Sequence, residues 1–144
     1  MPTIHVPHLN GTNVSYRCST TDPSKPTLAL IVPFTTTVEY YEPEFASSIL
    51  TERMNLIAVE PLGHGATRTK TENFTYWDSA VIFLQLLDAL DVKKAFVLGT
   101  SQGGWVGVRM ALLAPEKVRS RASSIVPSFQ LQSVANRIRF KDSF

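Results

Sequence analysis

Cysteine is nearly missing from this sequence. Cys18 stands alone among 144 residues, which excludes an internal disulfide, and no Cys or His lies beside it at metal-ligand spacing. Cys18 reads as structural, and no metal or cofactor is expected. Long apolar runs are also lacking. The longest strongly apolar stretch, Leu28 to Val32, is far too short to cross a bilayer. The opening Met1-Pro2-Thr3-Ile4-His5 lacks a basic segment followed by an apolar one. These absences predict a soluble, cytoplasmic protein with no membrane span. An excess of one charge is missing as well, since the net charge is only +2. That figure hides a split: residues 1–116 hold 8 basic and 11 acidic side chains, residues 117–144 hold 6 and 1. The basic tail has neither a dense run nor interleaved aromatics, so nucleic-acid binding is not expected. No internal repeat and no low-complexity segment appears.

The chain does have enough apolar residues, 44%, to bury one modest core in a single domain. Residues 3–17 alternate loosely around Asn10-Gly11, a dipeptide suited to a two-residue hairpin turn because both positions tolerate positive φ. An antiparallel opening hairpin follows from this. The unalternating run Thr27 to Val32 predicts a central strand covered on both faces, and Met54 to Val59 predicts a second. Between them, Tyr41, Phe45, Ile49 and Leu50 would share one face of a helix over 40–50. Thr75 and Asp78 form a capping box, after which Phe83, Leu86, Leu87 and Leu90 recur at helical spacing. Ala95 to Leu98 is a third short strand, and Gln102 to Ala114 a helix halted before Pro115. Strands alternating with helices predict an α/β fold, with a mostly parallel sheet and helices on both faces.

The chemistry-bearing pattern is Gly99-Thr100-Ser101-Gln102-Gly103. A serine hydroxyl is a weak nucleophile at neutral pH, so a serine hydrolase must lift it out of the chain toward a base and oxyanion donors. A sharp strand-to-helix turn does this for Ser101, while Gly99 and Gly103 relieve crowding where strand and helix nearly touch. The Gln102 amide, at the positive end of the following helix, then becomes an oxyanion donor. Chance produces G-x-S-x-G in roughly one chain in twenty of this length. The flanking apolar strand and helix are what lift it above coincidence. Gly103, Gly107 and Ala111 add a small-residue stripe that lets the helix lie close on the sheet. Gly99-Thr100-Ser101-Gln102-Gly103-Gly104 matches neither a dinucleotide fingerprint nor a P-loop and has no lysine, which argues against phosphate binding.

Over residues 3 to about 118 the chain resembles the α/β-hydrolase superfamily, in its esterase, lipase and peroxidase-like branch. Glu60-Pro61-Leu62-Gly63-His64-Gly65-Ala66-Thr67 is similar to the family's D-x-x-G-x-G-x-S turn after the fourth strand, with Glu60 for Asp and Thr67 for Ser. The resemblance implies that Pro33-Phe34-Thr35 replaces the His-Gly-x turn after the third strand. Its second oxyanion N–H would then come from Phe34 or Thr35, because proline has none. It implies a small-molecule ester or other acyl substrate, attacked by Ser101.

The resemblance also implies a triad in the order Ser, acid, His, and here the pattern breaks off. After Ser101 come only Glu116 and Asp142 as acids, and no histidine. His5 and His8 fall in the hairpin and read as exposed polar residues, and His64 as a local hydrogen-bonding residue of its turn. Arg119 to Ser124 does not read as the apolar strand that the family would place there, and a short helix over 129–140 is the most the tail offers. The expected division is therefore an N-terminal part of a hydrolase domain over 1–118 and an atypical basic tail over 119–144. A fragment, an alternative transcript or a shifted reading frame would each produce it. A sheet ending at the elbow strand would leave an edge open to a partner or to aggregation. Without base and acid, the 144-residue form is expected to be inactive, and a non-catalytic binding protein on the same fold is the alternative. A flavodoxin-type open sheet is disfavoured by the opening hairpin and the paired motifs.

Overall fold

The structure, a computed structural model, describes residues 1–123. Strands β1 (Thr3–Val6), β2 (Thr12–Cys18), β3 (Thr27–Ile31), β4 (Asn55–Val59), β5 (Arg68–Thr69), β6 (Ala95–Gly99) and β7 (Val118–Ser123) form one sheet in the order β1-β2-β4-β3-β6-β7, with β5 added beside β2. The pairs β4–β3, β3–β6 and β6–β7 are parallel, while β2 joins β1, β4 and β5 antiparallel. This is the α/β sheet with an N-terminal antiparallel hairpin that the patterning implies.

The unalternating strands are covered on both faces. Ala29, Ile31, Ile57, Val59 and Val97 share a core with Phe83, Leu86 and Leu87 of α3 (Tyr76–Ala89) and with Val106 and Met110 of α4 (Gln102–Leu113). Their strand neighbours point the other way: Leu30, Ala58 and Leu98 pack with Val38 and Tyr41, and Leu56 with Leu50 and Met54. The period-two alternation thus separates two cores, and each fully buried Leu, Ile or Phe contributes about 1.5–3 kcal/mol. The helix α3 begins as read. The Thr75 hydroxyl accepts from the Asp78 amide while the Asp78 carboxylate accepts from the Thr75 amide at 2.7 Å.

Four local expectations are corrected. The hairpin turn is longer than two residues: Val6 pairs with Thr12, and 7–11 form the loop, with Leu9, Asn10 and Gly11 all at positive φ. The Gly11 amide bonds the Pro7 carbonyl at 3.1 Å, so Asn10-Gly11 closes the loop instead of forming its tip. The helix over 40–50 is broken into a 3-10 turn at Val38–Tyr41, α1 (Glu42–Ala46) and α2 (Ser48–Thr51). Ser47 is extended (φ −78°, ψ 110°), which lets Tyr41 and Leu50 enter different clusters and leaves Ile49 exposed. The two-residue β5 lies outside every strand predicted from the sequence, because two residues carry no patterning signal. Finally, Val118–Ser123 is a strand, paired parallel with β6. Its ladder is made by backbone groups, which its polar composition does not report, and it covers the edge of β6 that was expected to lie open. The helix expected over 129–140, and Asp142, lie outside the described residues.

Candidate active site

The elbow is built by close approach. A Cβ on Gly99 would sit 2.1 Å from the Gly103 carbonyl carbon, and a Cβ on Gly103 would sit 2.2 Å from the Ile31 carbonyl oxygen. Only glycine lets β6, α4 and β3 meet there. Between the two glycines, Ser101 takes φ 52° and ψ −116°, a conformation that L side chains rarely adopt, and it is exposed. The turn is closed by the Gly103 amide on the Thr100 carbonyl and the Gly104 amide on the Ser101 carbonyl, both at 2.9 Å. Gln102 opens α4, so its N–H has no carbonyl one turn back within the helix.

Beneath the elbow, the buried Tyr41 hydroxyl donates to the Ile31 carbonyl at 2.9 Å and lies 3.3 Å from the Thr100 hydroxyl. The Thr100 amide also bonds the Ile31 carbonyl, at 3.3 Å. Burial pushes the Tyr41 phenol far above its ordinary value, against a smaller lowering by the Thr100 bond, so it stays protonated as a donor. The sequence pattern places Tyr41 only on a helix face. No spacing in the sequence connects it to Thr100.

The second turn, after β4, is a closed hydrogen-bond circuit. The fully buried Glu60 accepts from the Ala66 amide at 2.8 Å and the Val38 amide at 3.3 Å. Thr67, equally buried, donates its hydroxyl to the Glu60 carbonyl at 2.8 Å and accepts from the Ser15 amide at 2.9 Å. Gly65 must be glycine twice over. Its φ is 49°, and a Cβ there would lie 1.9 Å from the Glu60 carboxylate. The longer Glu60 and the bulkier Thr67 therefore make a satisfied circuit in this turn.

His64, in the middle of that turn, reaches out of it. Its Nδ1 lies 3.1 Å from the Leu62 carbonyl, while its Nε2 meets the Thr35 amide at 3.2 Å and the Gln102 side-chain amide at 3.4 Å. The Phe34 ring stands edge-on to it at 5.6 Å. On its far side Gln102 receives the Tyr76 hydroxyl at 3.5 Å. Thr35 is held at φ 61°. The turn after β3, the turn after β4 and the first residue of α4 thus converge on one imidazole. Phe34, Leu62, His64, Phe74, Tyr76 and Gln102 line most of a cavity of about 490 Å³. The Arg109 guanidinium lies 5.7 Å from the centre of the Tyr76 ring and 5.1 Å from that of Trp77.

The remaining candidates lie elsewhere. His5 bonds Asn13 at 3.0 Å and is exposed, as read. His8 is not simply exposed: half-buried, it pairs with Asp78 at 2.8 Å and ties the hairpin loop to the start of α3. Burial alone would raise the Asp78 pKa, but bonds from Thr75 and His8 outweigh it and hold the carboxyl below its ordinary value. Glu116 is exposed beyond α4. Among the described residues no three His, Cys, Asp or Glu side chains gather in a way that could hold a metal ion, and no helix is long and apolar enough to cross a membrane.

In comparisons against known proteins, the model of the alpha/beta hydrolase fold family matches residues 34–143. The chain belongs to that family. Among solved structures, this hydrolase-fold chain is similar to a hydrolase from Pseudomonas aeruginosa (28% identity, TM-score 0.72, covering 92% of this chain and 51% of that one). It is also similar to a structure from work on carboxylesterases of the thaumarchaeon Nitrososphaera gargenis (28% identity, TM-score 0.73, 81% and 42%). Among curated proteins it is similar to one named putative carbamate hydrolase RutD, from Stutzerimonas stutzeri (27% identity over 100 residues, 69% of this chain and 37% of the relative). The chain therefore spans about two fifths of that relative and about half of the P. aeruginosa structure.

Proposed function

We propose that this chain carries the nucleophile and oxyanion half of a serine hydrolase acting on small-molecule esters or other acyl compounds. Ser101 Oγ adds to the acyl carbon, and the Gln102 amide steadies the oxygen that becomes negative. The observation that carries this is Ser101 itself, an exposed serine in a strained backbone conformation between β6 and α4. Of the two amides considered for the second donor, Thr35 N–H is already engaged by His64. The Phe34 N–H is therefore the second donor. The aromatic and aliphatic lining of the adjacent cavity suits an uncharged acyl or alcohol portion.

Within residues 102–144 there is no histidine, so the proton acceptor is not assigned to a residue of this chain. A protein that keeps the fold for binding alone is the second reading. A fluorophosphonate probe distinguishes the two, with imidazole supplied in solution as the base. Serine hydrolase ancestry with an intact donor pair predicts imidazole-dependent labelling of the 144-residue chain that vanishes in Ser101→Ala. Labelling that is absent with and without imidazole, or that persists in Ser101→Ala, would overturn the proposal and leave the binding reading.

A further inference from the structure

His64 is more than a residue of its own turn. We propose that it is a positioning residue that pins the two oxyanion-donor segments to each other, an inference that rests on reading the Gln102 and Phe34 amides as those donors. Its hydrogen bonds decide its chemical form in two independent ways. The Leu62 carbonyl can only accept, so Nδ1 at 3.1 Å carries the hydrogen. The Thr35 amide can only donate, so Nε2 at 3.2 Å is a bare lone pair. Both point to the neutral Nδ1–H tautomer. Gln102 fits the same assignment, since its side-chain NH2 faces Nε2 and its oxygen receives the Tyr76 hydroxyl.

What the pin holds is a conformation that would otherwise relax. Thr35 is β-branched and sits at φ 61°, where such side chains are rarely found. Rotation of that residue would swing the peptide that joins Phe34 to Thr35, and the Phe34 amide, one peptide further back, would shift as its own φ and ψ followed. The bond to Nε2 opposes this rotation, and the second bond, to the Gln102 side chain, fixes the spacing to the start of α4. One nitrogen thereby sets the distance between segments that come from two different strands.

The test uses the 144-residue chain and does not depend on its activity. In 15N-labelled protein, His64 should show the ring shifts of the Nδ1–H tautomer. His64→Phe keeps a ring beside Phe34 but removes the acceptor, and the Thr35 amide should then exchange about five- to tenfold faster. An Nε2–H tautomer in the unsubstituted chain, or equal Thr35 exchange in both, overturns the pin whether or not Ser101 reacts. The connection to chemistry is read separately, by imidazole-dependent labelling of Ser101. Labelling should fall about tenfold in His64→Phe, as expected for one mispositioned donor. Adding Thr35→Gly, which removes the left-handed cost, should restore at least half of it. A loss that Thr35→Gly does not restore would assign His64 some other role. If the tautomer and exchange results hold while no form is labelled, the pin stands and the proposed hydrolase function falls.

Discussion

The turns that follow β6 and β4 are both glycine-rich, both leave a buried parallel strand, and are built on opposite principles. The elbow keeps its central side chain unbonded and exposed, and accepts an unfavourable backbone angle at Ser101. The Glu60–Thr67 turn buries Glu60 and Thr67 completely and gives their principal groups partners. Exposure with strain suits a group that must meet a substrate. Burial with full hydrogen bonding suits a brace. Where two turns share a sheet, this contrast in how polar groups are treated separates a reacting position from a supporting one.

Substitutions can break the contrast. The largest effect is expected for Gly65→Ala, which drives a methyl group into the Glu60 carboxylate at a positive φ. It should lower stability by about 3 kcal/mol or more, read as a shift in the denaturant midpoint. Thr67→Val keeps the shape of the side chain but leaves the buried Ser15 amide without its acceptor. About 1–3 kcal/mol should be lost, and an unchanged midpoint would mean that the circuit is not a brace. The smallest effect should have the opposite sign. Ser101→Gly relieves the elbow and should raise stability by about 1 kcal/mol while abolishing labelling. If Ser101→Gly destabilised the chain as Gly65→Ala does, the distinction between the two turns would fail.

The sequence disclosed most of what depends on periodicity and on short-range turn chemistry. The runs over Thr27–Ile31, Asn55–Val59 and Ala95–Gly99 appear as strands, the Thr75–Asp78 box opens its helix, and the elbow lies between β6 and α4. It hid what depends on backbone pairing or distant partners. Strand β7 is held by a ladder that polar residues form as well as apolar ones. His64 carries no signal beyond its place between two glycines, yet its partners lie 29 and 38 positions away. Tyr41 fits an amphipathic pattern, and its hydroxyl bond beneath Thr100 could not be read from that pattern. The break at Ser47, with Tyr41 and Leu50 in different clusters, has no counterpart in the spacing of Tyr41, Phe45, Ile49 and Leu50.

The sheet order has a consequence for how the molecule assembles. The opening hairpin closes over a short loop, with Val6 against Thr12, whereas the elbow forms only once Thr27 has paired with Ala95 across the full intervening chain. Loop-closure entropy grows slowly with length, so the longer closure costs only about 2 kcal/mol more. Long-range pairings nevertheless come late and slowly. The turn proposed to carry the nucleophile is thus absent from any partly folded chain in which β3 and β6 have not yet met.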